Sequence, residues 1–217
     1  MTVSSDVKLA LYNGALRRLG SRELASLTEN REPRRVLDGI WGSTDRVVKK
    51  ALEKGEWNFA IRTVEGIYST TVEPDFGFRR AYDKPDDMRR LAALSADEYF
   101  SRPLINAQYV DEAGYWFTDL DTLFVRYVSD NSAYGLNSAA WPEAFKEYIE
   151  CDLAWEACER ITNAMAKRDR IERDRMNALK SAKSNDAMAE GVKFLPHGSW
   201  SRSRQGRFGR RDRSFLG

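Results

Sequence analysis

The sequence predicts an α+β protein: a mainly helical bundle of four main helices, a small antiparallel β block inserted between the second and third, and an extended C-terminal tail. Three observations support this. Apolar residues recur at helical spacing near both ends of the chain. Between them lies a stretch rich in aromatic and β-branched residues, broken by Gly66, Pro74 and Gly77. The last twenty residues, Gly198 to Gly217, follow neither period. The expected divisions are 1–56 for the first helices, 57–135 for the β-rich insert, 136–192 for the later helices and 193–217 for a basic docking tail.

The first helix is expected over Val7 to Leu19, with an apolar stripe of Val7, Leu11, Tyr12, Leu16 and Leu19. Ser4, Ser5 or Asp6 can cap it, and Gly20 can stop it, because only glycine enters the left-handed C-terminal position without strain. Leu24 and Leu27 punctuate a polar connector. The second helix is expected to run from Pro33, which suits a first turn, through Leu37, Ile40, Trp41, Val47, Val48, Ala51 and Leu52 to a stop at Gly55. Gly39 and Gly42 weaken it near its start.

Strands are expected within 59–72 and 76–82, then at 90–94, 105–110, 115–118 and 123–128. Asp83-Lys-Pro-Asp-Asp87 reads as a turn, with Pro85 opening a short helical turn through Met88. Asp119-Leu-Asp-Thr122 reads as the connection of a hairpin between the last two strands. Leu123, Val125 and Tyr127 should share one face of the final strand, and Phe124, Arg126 and Val128 the other. Helix returns at Trp141-Pro142 and is expected to carry Phe145, Ile149, Leu153, Ala154, Ala157, Cys158, Ile161 and Met165 on one continuous apolar face. From Ala166 to Glu190 the helix is strongly charged, with a thin apolar stripe, which suits polar contacts at a subunit boundary.

Composition narrows the function. Hydrophobic residues make up 42% and charged residues 31%, as in a soluble globular protein. The net charge is +2, but the last twenty residues hold six arginines against Asp212 alone, leaving the rest of the chain at about −3. The body is therefore not a basic nucleic-acid platform. No apolar run reaches the roughly 18 residues of a membrane span, and the opening MTVSSD has no basic start followed by an apolar run.

Catalytic chemistry finds no support in the sequence. The single histidine, His197, sits between Pro196 and Gly198, a poor support for a pre-organised group. Cys151 and Cys158 lie seven residues apart on a helical stretch, about 10 Å between Cα atoms, too far for a mutual disulfide. Core packing is the preferred reading for both. Asp86-Asp87 and the Asp119/Asp121 pair could hold a divalent cation, but their turn settings favour a backbone role. There is no phosphate-binding glycine loop. The expectation is a non-enzyme without cofactor, metal or catalytic residues.

The aromatic residues divide by position. Trp41, Trp57, Trp141 and Trp155 lie on helix faces or boundaries and read as core. Tyr115, Trp116 and Phe117 are more aromatic than one small sheet needs and read as contacts to a tail component or neighbouring subunit. In the tail, Trp200 and Phe208 read as anchors, with Arg202, Arg204, Arg207, Arg210 and Arg211 around them. This composition fits a strap docked on a protein partner, and it equally fits a segment that binds RNA or DNA without sequence preference.

Several segments, in order, resemble the tail tubular protein A family of short-tailed phages and related head-to-tail adaptors. They are Leu9 to Leu19 with Gly20-Ser-Arg-Glu-Leu-Ala-Ser-Leu27, and Ala51-Leu-Glu-Lys-Gly-Glu-Trp-Asn-Phe-Ala-Ile-Arg62. The turn Tyr82-Asp-Lys-Pro-Asp-Asp-Met-Arg-Arg-Leu91 and the run Thr118-Asp119 with Leu123-Phe-Val-Arg-Tyr-Val128 follow. Trp141-Pro-Glu-Ala-Phe145 and Leu195-Pro-His-Gly-Ser-Trp200 complete the series. The resemblance spans roughly residues 7 to 200 and leaves 201–217 uncovered. It implies a structural virion protein: a ring, dodecameric in the family, beneath the portal protein, joined to a tail nozzle or tube protein and lining a channel for genomic DNA. It implies assembly in the host cytoplasm, no membrane and no catalytic site. The alternative is a nucleic-acid-binding module acting through the Arg-rich tail.

Overall fold

The computed structural model describes residues 3–74, 77–101, 103–105, 108–162 and 164–189. Helix α1 covers Ser5–Leu19 and ends where the sequence places its stop. Gly20 adopts φ 66° and donates to the Arg17 carbonyl, while the Ser21 amide donates to Leu16 O at 2.9 Å. This paired closure satisfies two otherwise orphaned carbonyls.

The expected second helix is two helices. α2 covers Glu32–Trp41 and α3 covers Arg46–Leu52, with a corner between them. Gly42 takes φ 74° and ψ 166°, which a side chain resists, and Asp45 takes the left-handed conformation at φ 54°. The corner is fixed from inside: the Asp45 carboxylate accepts from Trp41 Nε1 at 2.7 Å and from the Val3 amide at 3.3 Å.

Among the described residues seven strands follow: β1 Ile61–Glu65, β2 Ile67–Tyr68, β3 Arg80–Asp83, β4 Met88–Ser95, β5 Tyr109–Glu112, β6 Tyr115–Thr118 and β7 Phe124–Ser129. They form two antiparallel sheets, a three-stranded one ordered β1-β7-β4 and a four-stranded one ordered β2-β3-β6-β5. The expected hairpin across Asp119–Thr122 is absent. β6 pairs with β3 and β5, and β7 pairs with β1 and β4, so 119–122 carries the chain from one sheet to the other. Gly66 makes the same crossing between β1 and β2, and its amide donates to Leu123 O at 2.7 Å. The tight hairpin is instead β5–β6. Glu112 faces Tyr115 across Ala113 and Gly114, whose φ values of 49° and 92° match the mirror-image turn that suits strand twist.

Helix α4 runs Glu143–Thr162 and α5 runs Met165–Ala189. Among the described residues the architecture is thus α+β with five α-helices and two antiparallel sheets, not a four-helix bundle with a small β block. The bundle expectation fails for two reasons. The 42–45 corner divides one helix, and the β segment is large enough to enclose a core of its own.

There are two cores, and β7 borders both. The helical core joins Leu11, Tyr12, Leu16, Leu37, Trp41, Val48, Phe145, Ile149 and Leu153 with Trp57 and Val128. Trp57, Phe59 and Trp141 ring Phe145 at centroid distances of 4.9, 4.9 and 5.5 Å. The second core lies between the sheets and joins Leu94, Leu123, Val125 and Tyr127 with Tyr82 and Trp116. The alternation expected along 123–128 is observed: Leu123, Val125 and Tyr127 enter the inter-sheet core, and Val128 enters the helical one. Residues up to Ala187 form one compact unit, and no described helix is long and apolar enough to cross a membrane.

Candidate functional site

Of the carboxylates weighed as cation ligands, Asp87, Asp119 and Asp121 have structural partners. Asp87 accepts from Arg62 at 2.8 Å, Tyr127 Oη at 2.8 Å and Ser129 Oγ at 2.5 Å. Burial alone would raise the Asp87 carboxyl, but these three bonds outweigh it and hold it below the ordinary carboxylate range. Asp119 accepts from the Arg79 amide, and Asp121 pairs with Arg80 at 2.5 Å. Among the described residues no group of His, Cys, Asp and Glu is arranged to hold a metal ion. Both cysteines are buried, and burial pushes the Cys151 thiol up to about 11, which keeps it protonated and unreactive.

The three aromatics expected to act as contacts separate by face. Tyr115 and Phe117 are half-buried on one face of the four-stranded sheet, with ring centroids 6.3 Å apart. Trp116 points the other way and is fully buried opposite Tyr82. It belongs to the inter-sheet core, not to the half-buried face that carries Tyr115 and Phe117. The tail residues Trp200, Arg202, Arg204, Arg207, Phe208, Arg210 and Arg211 lie outside the described residues.

Phe117 also lines a cleft of about 380 Å³ beside the β5–β6 hairpin, with Pro74, Phe78 and Val110 as its apolar walls. Two carboxylates, Glu73 and Glu112, stand at this cleft, and neither makes an ion pair among the described residues. The hairpin tip belongs to a region of net negative charge. Residues 57–135 carry thirteen acidic side chains against eight basic ones.

Helix α5 has the opposite character, with seven basic and four acidic residues. Its inner face rests on Ile171, Ala178 and Ala182, and is latched by Arg175. That guanidinium pairs with buried Asp152 at 3.1 Å and lies 4.1 Å from the Trp155 ring centroid. Near the helix end, Asp186 accepts from the Asn58 amide at 3.1 Å. Its outer face carries Arg173, Met176, Lys180 and Lys183 at spacings of three, four and three, all exposed. Met176 retains 48% of its accessible surface. None of the three cations makes an ion pair among the described residues.

The sequence shows this 3-4-3 spacing plainly, yet the mixed charge of 166–190 hides it, because most such helices present a solvated face. The cleft has no such signal, since its walls come from separate strands and a loop.

No protein-family model matches this chain, and no curated protein matches it.

Proposed function

We propose that this chain is a structural component of a virion neck, a head-to-tail adaptor that forms a ring between portal and tail and surrounds the DNA path. The observation that carries the reading is where the family-like segments fall. Gly20 closes α1, Trp57 packs on Phe145, Asp87 ties the turn before β4 to β7, and Trp141 donates from Nε1 to Gly135 O at 2.9 Å. These are the joints of the fold, so segments similar to the adaptor family in the same order support a shared framework rather than scattered turn chemistry.

A ring of this kind needs two different surfaces per subunit for its neighbours and a third for the portal. The α5 stripe and the hairpin cleft are available for the first purpose. The tail, with Trp200 and Phe208 among Arg202, Arg204, Arg207, Arg210 and Arg211, suits the second, because Trp and Arg dominate binding hot spots. Copies around a ring would add avidity to a weak single docking. Electron micrographs of the chain mixed with portal particles test the reading: a ring with a central hole at the portal vertex is expected, and its absence at saturating chain refutes it.

A second reading rests on the same tail. Six arginines against one acid within twenty residues also suit DNA or RNA phosphates. Binding that weakens steeply with salt, and that disappears with the tail while portal attachment persists, would favour it.

A further inference from the structure

We propose that the α5 stripe of one copy docks into the β5–β6 hairpin cleft of a second copy. Met176 would enter the apolar walls formed by Pro74, Phe78, Val110 and Phe117, with Arg173, Lys180 and Lys183 set around Glu73 and Glu112.

The occupant follows from complementarity on the same molecule. A methionine 48% exposed on an otherwise polar helix face is flanked by three cations without carboxylate partners among the described residues. The cleft presents the counterpart: an apolar hollow with two exposed carboxylates that have no cation partner among the described residues. From Arg173 to Lys183 the stripe spans ten residues, about 15 Å at the α-helical rise. Methionine adapts to irregular hollows through its unbranched, polarizable chain. Charges around an apolar centre set orientation and reject wrong partners.

Because stripe and cleft are different surfaces, the contact is heterologous. Each copy uses its stripe on one neighbour and offers its cleft to another, which generates a closed ring or an open filament according to the rotation. The inference deepens the adaptor reading by naming its inter-subunit contact, and rests on that reading only for closure of the ring.

Charge reversal on the full chain tests it. One variant carries Lys180→Glu and Lys183→Glu; the other carries Glu73→Lys and Glu112→Lys. All four side chains are exposed, so circular dichroism and melting should match the parent. Sedimentation velocity at low salt should show self-association of the parent, and each variant alone should associate at least about tenfold more weakly. Mixing the two variants should restore association, because each reversed stripe then meets a reversed cleft.

A parent chain that stays monomeric up to about a millimolar, or a mixture that fails to recover, overturns the proposal. So does unchanged association of the Lys180/Lys183 variant accompanied by lost DNA affinity, which would make the stripe a phosphate-binding face. Restored association into open filaments would keep the contact and sink the ring. Rings on portal particles that are indifferent to both variants would keep the adaptor and sink the contact.

Discussion

The Arg175 guanidinium and the Asp152 carboxylate meet at 3.1 Å, with Asp152 1% exposed, and join α5 to α4. Lys54 Nζ lies 3.8 Å from the same carboxylate, and burial, opposed by the Asp152 charge, holds Lys54 below the ordinary lysine range. Long side chains thus span a helix contact in which the buried residues of α5 are Ile171, Ala178 and Ala182, with Leu179 packed beside them.

Removing the shared carboxylate should therefore be severe. Asp152→Ala leaves a guanidinium and an ammonium without their partner, and breaking a buried pair this way costs about 3–5 kcal/mol. Urea unfolding should show that loss. A change below about 1 kcal/mol would mean that the pair is effectively solvated.

Two glycines should respond to alanine in opposite directions. A Cβ on Gly135 would lie 2.2 Å from Ser129 O and 2.7 Å from Leu52 Cδ1, so backbone must move. Gly135→Ala should lower stability by about 3 kcal/mol, as overpacking at rigid neighbours does. Gly39 is exposed within α2 and has nothing within 4 Å of such a Cβ. Gly39→Ala should raise stability by about 0.5–1 kcal/mol. Thermal melts of the two variants check both signs.

Trp116→Ala should compromise folding rather than attachment alone. The indole is fully buried between the sheets, and truncating such a ring costs about 3–5 kcal/mol. Loss of soluble protein, or a large drop in melting temperature, is expected. Normal stability with selective loss of partner binding would return Trp116 to a contact role.

Asp87 predicts an acid-sensitive joint. Its folded-state carboxyl titrates below its unfolded value, so the stability it contributes is complete above the unfolded carboxylate range, about 3.9. It is lost as pH falls through the lower folded value. Asp87→Asn should lower stability at neutral pH and flatten the decline below about pH 4. Parallel acid unfolding curves for parent and variant would contradict this assignment.

Cutting the chain after Pro196 should leave helical circular dichroism intact, because the helical core is built from residues up to Ala182. Portal attachment should be lost. Normal joining of the truncated chain to portal-containing heads, with only DNA affinity reduced, would transfer the tail to the nucleic-acid reading.

Local chemistry was legible in the sequence where it acts alone. Gly20 signals its own helix stop, and the 123–128 run reveals its two faces because both have apolar members at period two. The 42–45 corner was half visible: Gly42 weakens a helix anywhere, but the bonds from Trp41 and Val3 to Asp45 that fix the bend are tertiary. Strand partners were not legible. Asp119 to Thr122 has the composition of any reversal, and only long-range pairing decides that it changes sheets. Tyr115, Trp116 and Phe117 are all aromatic, so alternation gives no contrast to show which one turns inward. Of the candidate surfaces, the α5 spacing could be read from the chain, while the cleft exists only after Pro74, Phe78 and Val110 have been brought together.

β7 is a party wall between two interiors, with Val128 on one side and Val125 and Tyr127 on the other. Neither interior can open without exposing that strand's opposite face to solvent, so helices and sheets should melt as one cooperative transition rather than as separable lobes. The backbone amides of 125–128, paired to β1 on one flank and β4 on the other, should be among the slowest in the chain to exchange with deuterium. A chain built this way should transmit a push on its hairpin end into its helical frame instead of hinging.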